Sequence, residues 1–361
     1  MDALKENVLG ILLCFIVAIP AWFMGKAFPV VGSPVFGILM GMVLALILPR
    51  FLGALWTEGR YDKGIRTTSK KLLQLSIILL GFGMNLYHVL EVGRQSLVVI
   101  LTTLSAAFIT AFFVGKALSL DGKVMTLIGV GTSICGGSAI AATAPVIEAG
   151  EEEVAHAIST IFLFNVLAVF LFPPMGRLLG LSDMGFGMWA GTAINDTSSV
   201  VAAGTAWSSA SGNDTALAFA TIVKLTRTLM IVPITLVLAM YTARQKVRME
   251  KMQTNLVTDG QSVGSLVESG SSFRFTKVFP WFVLGFVAAA VLNTAVELGE
   301  VSSSLVALGK FFIVMAMVAI GLKTNVKRLL TNGLKPIFLG ICCWIAVAGA
   351  SLVVQWGMRL W

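Results

Sequence analysis

Apolar residues in this 361-residue chain come in runs of about 18 to 25, and such runs recur along nearly its whole length. About 20 helical residues, rising 1.5 Å each, match the roughly 30 Å of hydrocarbon in a bilayer. Within lipid a crossing segment must satisfy its own backbone polar groups, so the runs dictate an all-α polytopic membrane protein. Eleven spans are expected, near 8–25, 30–48, 70–87, 95–117, 124–147, 154–175, 185–206, 215–241, 278–296, 303–322 and 335–357. Pro29 and Pro34 interrupt the start of the second. A composition 57% hydrophobic and only 12% charged fits this reading and no soluble domain. The first run is too long, and too poor in a small-residue cleavage site, for a signal peptide.

The net charge of +8 reads as topology, not as a nucleic-acid footprint. With a cytoplasmic N-terminus and eleven spans, 20 loop bases fall inside and only Lys26, Arg94 and Arg359 fall outside, which places the C-terminus outside. The cluster Glu148, Glu151, Glu152 and Glu153 is then external. Four cysteines and two histidines without companions provide neither a disulfide framework nor a metal site, and no cofactor is expected. One long polar connection, about 242–277, interrupts what is otherwise a single transmembrane domain over 1–361.

Two expected spans carry one pattern. Gly131-Thr132-Ser133-Ile134-Cys135-Gly136-Gly137-Ser138-Ala139 is echoed by Gly191-Thr192-Ala193-Ile194-Asn195-Asp196-Thr197-Ser198-Ser199. Such dense small polar residues suit a helix broken inside a protein-lined cavity, where freed backbone groups meet a ligand. The first motif alone fits a small-residue packing face equally well. The second does not, because Asp196 at mid-span costs about 2.5–3.5 kcal/mol unless it has a partner or water. A weaker echo joins Leu80-Gly81-Phe82-Gly83-Met84-Asn85-Leu86 to Ala319-Ile320-Gly321-Leu322-Lys323-Thr324-Asn325, in opposite orientation, as an inverted repeat requires. The first echo runs the same way in both copies, so one simple duplication does not generate both.

Lys224 and Arg227, spaced to share a helix face, and Lys310 lie at membrane depth with Asp196 as the one clear acid. That surplus of two positive charges, with helix N-termini and hydroxyls, favours an anion over a cation. The expected substrate-binding set is Ser133, Cys135, Gly136, Gly137, Ser138, Asn195, Asp196, Thr197, Ser198, Ser199, Lys224 and Arg227, with Asp196 and Lys310 balancing charge or coupling protons. A structural ion pair between Asp196 and one base is the competing reading. Asn165 reads as an interhelical hydrogen bond more than a substrate contact.

The stretches GTSICGGSAIAATAPVI (131–147), LFN (163–165), WAGTAINDTSSVVAAG (189–204) and VKLTR (223–227) together resemble the YeiH-type bacterial membrane proteins, usually labelled sulfate exporters. The resemblance covers most of the chain. It implies a multi-pass secondary carrier of the bacterial inner membrane exporting sulfate, sulfite or a related anion. It also implies a distant relation to carriers with inverted repeats and broken helices, such as the bile-acid and sodium–proton antiporter folds. Homodimerisation follows only by analogy with those carriers. The 242–277 connection has no counterpart in the resemblance. The rivals are a cation/proton antiporter centred on Asp196 and an anion channel. An enzyme finds no nucleophile–base pair, metal cluster or nucleotide loop to support it.

Overall fold

The computed structural model describes residues 2–28, 32–52, 59–242, 281–296, 298–324 and 333–361. The polar connection expected at 242–277 lies outside them from residue 243 onward. Among the described residues every regular element is helical. α1 (Asp2–Ala27) and α2 (Ser33–Leu52) come first. Pro34 sits in the first turn of α2, where a missing N–H is tolerated. α3 (Asp62–Thr67) passes through a π-helical turn at Thr68–Leu72 into α4 (Leu73–Gly81). α5 (Leu86–Ala117) opens on the side-chain cap of Asn85, which accepts from Tyr87 N at 2.9 Å. Then follow α6 (Gly122–Ser133), α7 (Gly137–Thr143), α8 (Glu151–Leu178), α9 (Asp183–Ala193), α10 (Thr197–Ser211) and α11 (Thr215–Leu229), helical again over 231–242. α12 (Trp281–Val296), α13 (Glu300–Lys323) and α14 (Leu334–Gly357) complete the described chain. Seven of the described helices are long and apolar enough to cross a membrane, those of α1, α2, α5, α8, α11 with its continuation, α13 and α14.

The segments 124–147 and 185–206, expected as spans, do not cross. Each turns back on itself. Lys123 Nζ donates to Glu148 O at 2.7 Å, although a straight helix would separate those residues by about 37 Å. A Cβ on Gly131 would lie 2.9 Å from Ile140 Cδ1, so α6 and α7 run antiparallel about the turn Ile134–Gly136. In the second hairpin Trp207 Nε1 donates to Asp183 Oδ1 at 2.6 Å, and the Phe186 and Trp207 rings stack with centroids 4.1 Å apart. Gly187 and Gly191 of α9 pack in ascending order on Ala216 and Val223 of α11, whereas Gly204 of α10 rests on Leu217. One arm is therefore parallel to α11 and the other antiparallel. The reversals have local causes: Gly136 adopts φ +71°, a conformation that suits glycine, and Ile194 and Asp196 are extended. α6 and α9, with 12 and 11 residues, are about 17–18 Å long, half the hydrocarbon thickness.

α8, 28 residues and about 42 Å long, separates the hairpins, so they enter from opposite ends of the molecule. At one end Trp361 Nε1 donates to Leu179 O at 3.1 Å and Gly185 abuts Leu360. At the other, Leu339 at the start of α14 shares a core with Val124 and Ala144. The acidic start of α8 therefore lies at the same end as Lys123, although eleven spans would put the two on opposite sides, and Arg177 lies at the end that carries Lys26. Asp183 fastens the second hairpin twice, since Asn213 Nδ2 also donates to its Oδ2 at 2.8 Å. Asp183→Ala should lower stability by about 1–3 kcal/mol in thermal or denaturant unfolding, because both donors lose their acceptor; an unchanged midpoint would show that the clasp contributes nothing.

Two bundles result. α1, α2, α3–α4, α12 and α13 pack as a scaffold, while α5, the hairpins, α8, α11 and α14 form a second body. They meet where α10 lies on α2 and α13, and where α5 touches α12. Within the scaffold, backbones approach closely at glycine pairs, Gly10 with Gly64 and Gly41 with Gly321.

Candidate functional site

The two hairpin tips meet at Lys224 and Arg227, both wholly buried and one turn apart on α11. Lys224 Nζ donates to Ile134 O at 2.8 Å, to Ile194 O at 3.1 Å and to Asn195 O. Arg227 donates through Nε to Ser133 O at 2.6 Å, through Nη1 to Ile194 O at 3.2 Å, and through Nη2 to Thr132 O. These acceptors are the orphan carbonyls at the C-terminal ends of α6 and α9, where the helix dipoles concentrate negative charge. Two cations thus cap two buried helix ends. An ammonium has three protons, and all three of Lys224 are engaged, which leaves none for a substrate. Arg227 keeps two of its five.

Asp196 caps the return arm α10: its Oδ2 accepts from Ser198 N at 3.0 Å and from the Ser198 hydroxyl. Its own N–H donates to Asn165 Oδ1 at 3.0 Å, so Asn165 of α8 makes the expected interhelical bond and does so at the tip itself. No ion pair joins Asp196 to Lys224 or Arg227, and its carboxylate remains half-buried. A Cβ placed on Gly136 would lie 3.5 Å from Asn165 Nδ2 and 3.6 Å from Asp196 Cβ, which puts the two tips in contact. Matched residues of the echo hold matched places. The carbonyls of Ile134 and Ile194 are both clamped, and Gly136 and Asp196 both begin the return arms. Asn195 is the exception: it is 1% exposed, and neither Nδ2 nor Oδ1 meets a protein partner.

The other expected residues cluster around this crossing with unequal access. Ser133 is buried and its hydroxyl donates to Val130 O at 3.1 Å. Cys135 packs among Val130, Ile134, Ala139 and Ile231. Thr197, Ser198 and Ser199 are buried in the first turn of α10, whereas Gly137 is partly exposed and Ser138 exposed at the start of α7. Lys310 is not brought to this crossing. Its Nζ donates to both oxygens of Asp214 at 2.7 Å, between α13 and the turn before α11. That pair stands on the wall of a cavity of about 770 Å³ between the bundles, lined also by Lys26, Ser33, Thr205, Ser209 and Ser302. Asp214 went unread in the sequence and Lys26 was read only as an external loop base, because neither looks like part of a site until α13 is placed beside it.

Among the described residues no cluster of His, Cys, Asp and Glu is arranged to hold a metal. A family model described as Conserved hypothetical protein 698 matches residues 9–340. The chain belongs to this family, UPF0324. A UPF0324 membrane protein of Fusobacterium nucleatum is 45% identical over 368 residues, covering 98% of each chain. One from Streptococcus pyogenes serotype M18 is 49% identical over 356 residues, 98% of this chain and 97% of its own. One from Streptococcus agalactiae serotype V is 47% identical over 362 residues, 99% of each. With its apolar helices, the chain is a multi-pass membrane protein, and the YeiH-type resemblance is consistent with the family.

Proposed function

We propose that this chain is a secondary carrier for a small anion in the bacterial cytoplasmic membrane, with its central site where the hairpin tips meet. The observation that carries the reading is Asn195, a buried amide without a protein partner, held where two half-depth hairpins from opposite ends converge. A buried polar group left unpaired costs about 1–3 kcal/mol, an expense a transporter recovers when a ligand arrives. Charge supplies the sign. Helix C-termini absorb about one of the two positive charges on Lys224 and Arg227, and the N-termini of the return arms offset Asp196, which leaves roughly one positive charge. With Lys310 engaged elsewhere, that is half the surplus read from the sequence, and of the same sign. A sulfate- or sulfite-like oxyanion is the substrate class, and export the direction, that the resemblance suggests.

The hairpins also supply a topology in which both echoes fit one scheme. Nine crossing segments and two hairpins keep the termini on opposite sides, and 19 loop bases then lie inside against Lys26, Arg94, Arg177 and Arg359 outside. α2, α3–α4, α5, the first hairpin and α8 correspond to α12, α13, α14, the second hairpin and α11, inverted and with the chain order permuted. Glycine contacts support the pairing. Gly81 of α4 packs on Phe286 of α12 as Gly321 of α13 packs on Ile38 of α2, and Gly93 of α5 meets Thr226 of α11 as Gly340 of α14 meets Thr160 of α8.

Reconstituted in liposomes, the protein should exchange radiolabelled sulfate or sulfite for unlabelled anion, and Asn195→Leu should reduce that exchange by about 100-fold. The same substitution removes two unpaired polar atoms at similar volume, so its thermal stability should be equal or higher. Full exchange by Asn195→Leu would reject the site. A cation/proton antiporter is the second reading, favoured by the partly accessible Asp196 carboxylate. Proton-coupled sodium flux that is lost in Asp196→Asn, with no exchange of any anion, would select it.

A further inference from the structure

The cavity between the bundles is separate from the hairpin tips, and its walls have their own chemistry. We propose that it is a second anion site, and that filling it releases the tie between the two bundles. Its role in transport rests on the carrier reading above; its affinity for anions does not. Two lysines and one carboxylate line it. Lys26 Nζ is held 5.5 Å above the Trp22 ring, and Lys310 donates two of its three protons to Asp214. The surplus is positive, and Ser209 adds an exposed hydroxyl; those of Ser33 and Ser302 already donate to Trp22 O at 3.2 Å and to Phe82 O. A multivalent oxyanion fits this set, whereas a cation meets repulsion from both lysines. At about 770 Å³ the space exceeds one such ion, which therefore enters with water around it.

The tie joins Lys310 of the scaffold to Asp214 at the base of the second hairpin. Their side chains are 25% and 56% exposed, so water screens the pair and another anion can compete for the ammonium. A smaller cavity of about 300 Å³, lined by Ser208, Gly212 and Asn213, adjoins the same pair. Below Thr205 the cavity ends. There α10 buries Val201 and Ala202 in a core shared with Val35, Ile38, Ile313 and Met317 of the scaffold. Nine residues of α10, about 13 Å, separate Thr205 from Asp196 at the tips. The cavity and the tips are therefore two stops along one helix with an apolar seal between them. Passage requires α10 to shift on α2 and α13, and the Lys310–Asp214 pair opposes that shift. An oxyanion that takes Lys310 away from Asp214 removes the opposition as the cavity fills.

Charged thiol reagents test this on the full-length protein without knowledge of the substrate. Ser209→Cys places an accessible thiol in the cavity wall, while Cys14, Cys135 and Cys343 are buried and the unsubstituted chain corrects for Cys342. Relative to free cysteine, an anionic methanethiosulfonate should be favoured over a cationic one by about tenfold. Lys310→Met should abolish that preference, Lys310→Arg should restore it, and Asp214→Asn should increase it. Indifference to Lys310→Met, or a preference for the cationic reagent, overturns the anion site. The tie is tested at the seal, where Asp214→Asn should speed modification of Ala202→Cys several-fold, as should adding inorganic sulfate at constant ionic strength; unchanged rates under both conditions overturn the release. Normal anion exchange by Asn195→Leu beside a positive reagent result would reject the tip assignment alone, and absent anion exchange beside that result would reject the carrier reading while leaving the cavity site intact.

Discussion

Arg227→Met should destabilise the protein by about 3–5 kcal/mol and abolish transport. Methionine is close to arginine in reach and fills much of the same space, so the change isolates the loss of donors and charge. The carbonyls of Thr132 and Ser133 then have no cationic partner, and Ile194 O keeps only Lys224. Both helix C-termini face each other across a dry interior with half their compensation gone. Arg227→Lys should recover only part of the loss, because one ammonium cannot fork across two carbonyls of the first hairpin and one of the second. Lys224→Met should have a similar effect alone and much less on top of Arg227→Met, since the tips will already have separated. Thermal unfolding in lipid nanodiscs measures all four. A melting temperature for Arg227→Met equal to that of the unsubstituted protein would mean that the clamp is not what joins the tips.

Gly321→Val carries the second large effect, at a distance from the site. A Cβ on Gly321 would stand 2.3 Å from Ile38 O and 2.9 Å from Gly41 Cα. The obstacle is backbone, which cannot rotate aside as a side chain can, so α2 and α13 must separate along their whole contact. The expected loss is about 3 kcal/mol or more, at the upper end of overpacking in a core. Gly41→Ala should be comparably harmful, because its Cβ would meet Val318 O at 2.4 Å. The control is Gly349 in α14, with no atom within 4 Å of its notional Cβ. Gly349→Ala should stabilise by about 0.5–1 kcal/mol. If both helices tolerate Gly321→Val, they are not packed as closely as described.

The long helices were legible because run length and hydropathy are local properties of the chain. The second span, despite Pro29 and Pro34, forms as expected from Ser33. The hairpins were not legible as hairpins. An apolar arm of 12 residues followed by another seven has the length of one span, and no periodicity records that the chain reverses at Gly136. A trace of the reversal did exist in the disagreement of the two echoes over orientation, which the repeat scheme proposed above removes by making each motif a turn instead of a crossing. The depth and shared face of Lys224 and Arg227 were readable, but their acceptors were not, because a backbone carbonyl is common to every residue and marks no letter. Lys310 misled for the opposite reason. Ten residues into its helix it seems buried in lipid, yet the cavity beside Asp214 brings water to it.

Consider finally that a single helix, α11, grips both tips. Lifting either hairpin alone would strip a fully coordinated ammonium of a carbonyl, so neither tip is suited to act as a door. In the carrier proposed above, a site that cannot be opened piecemeal would have to be conveyed whole, with the apolar seam of α10 against α2 and α13 as the sliding surface. Turnover in such a machine is a problem of friction. The membrane's thickness and stiffness, which decide how freely one body rides past the other, should then govern its speed as strongly as any residue that touches the cargo.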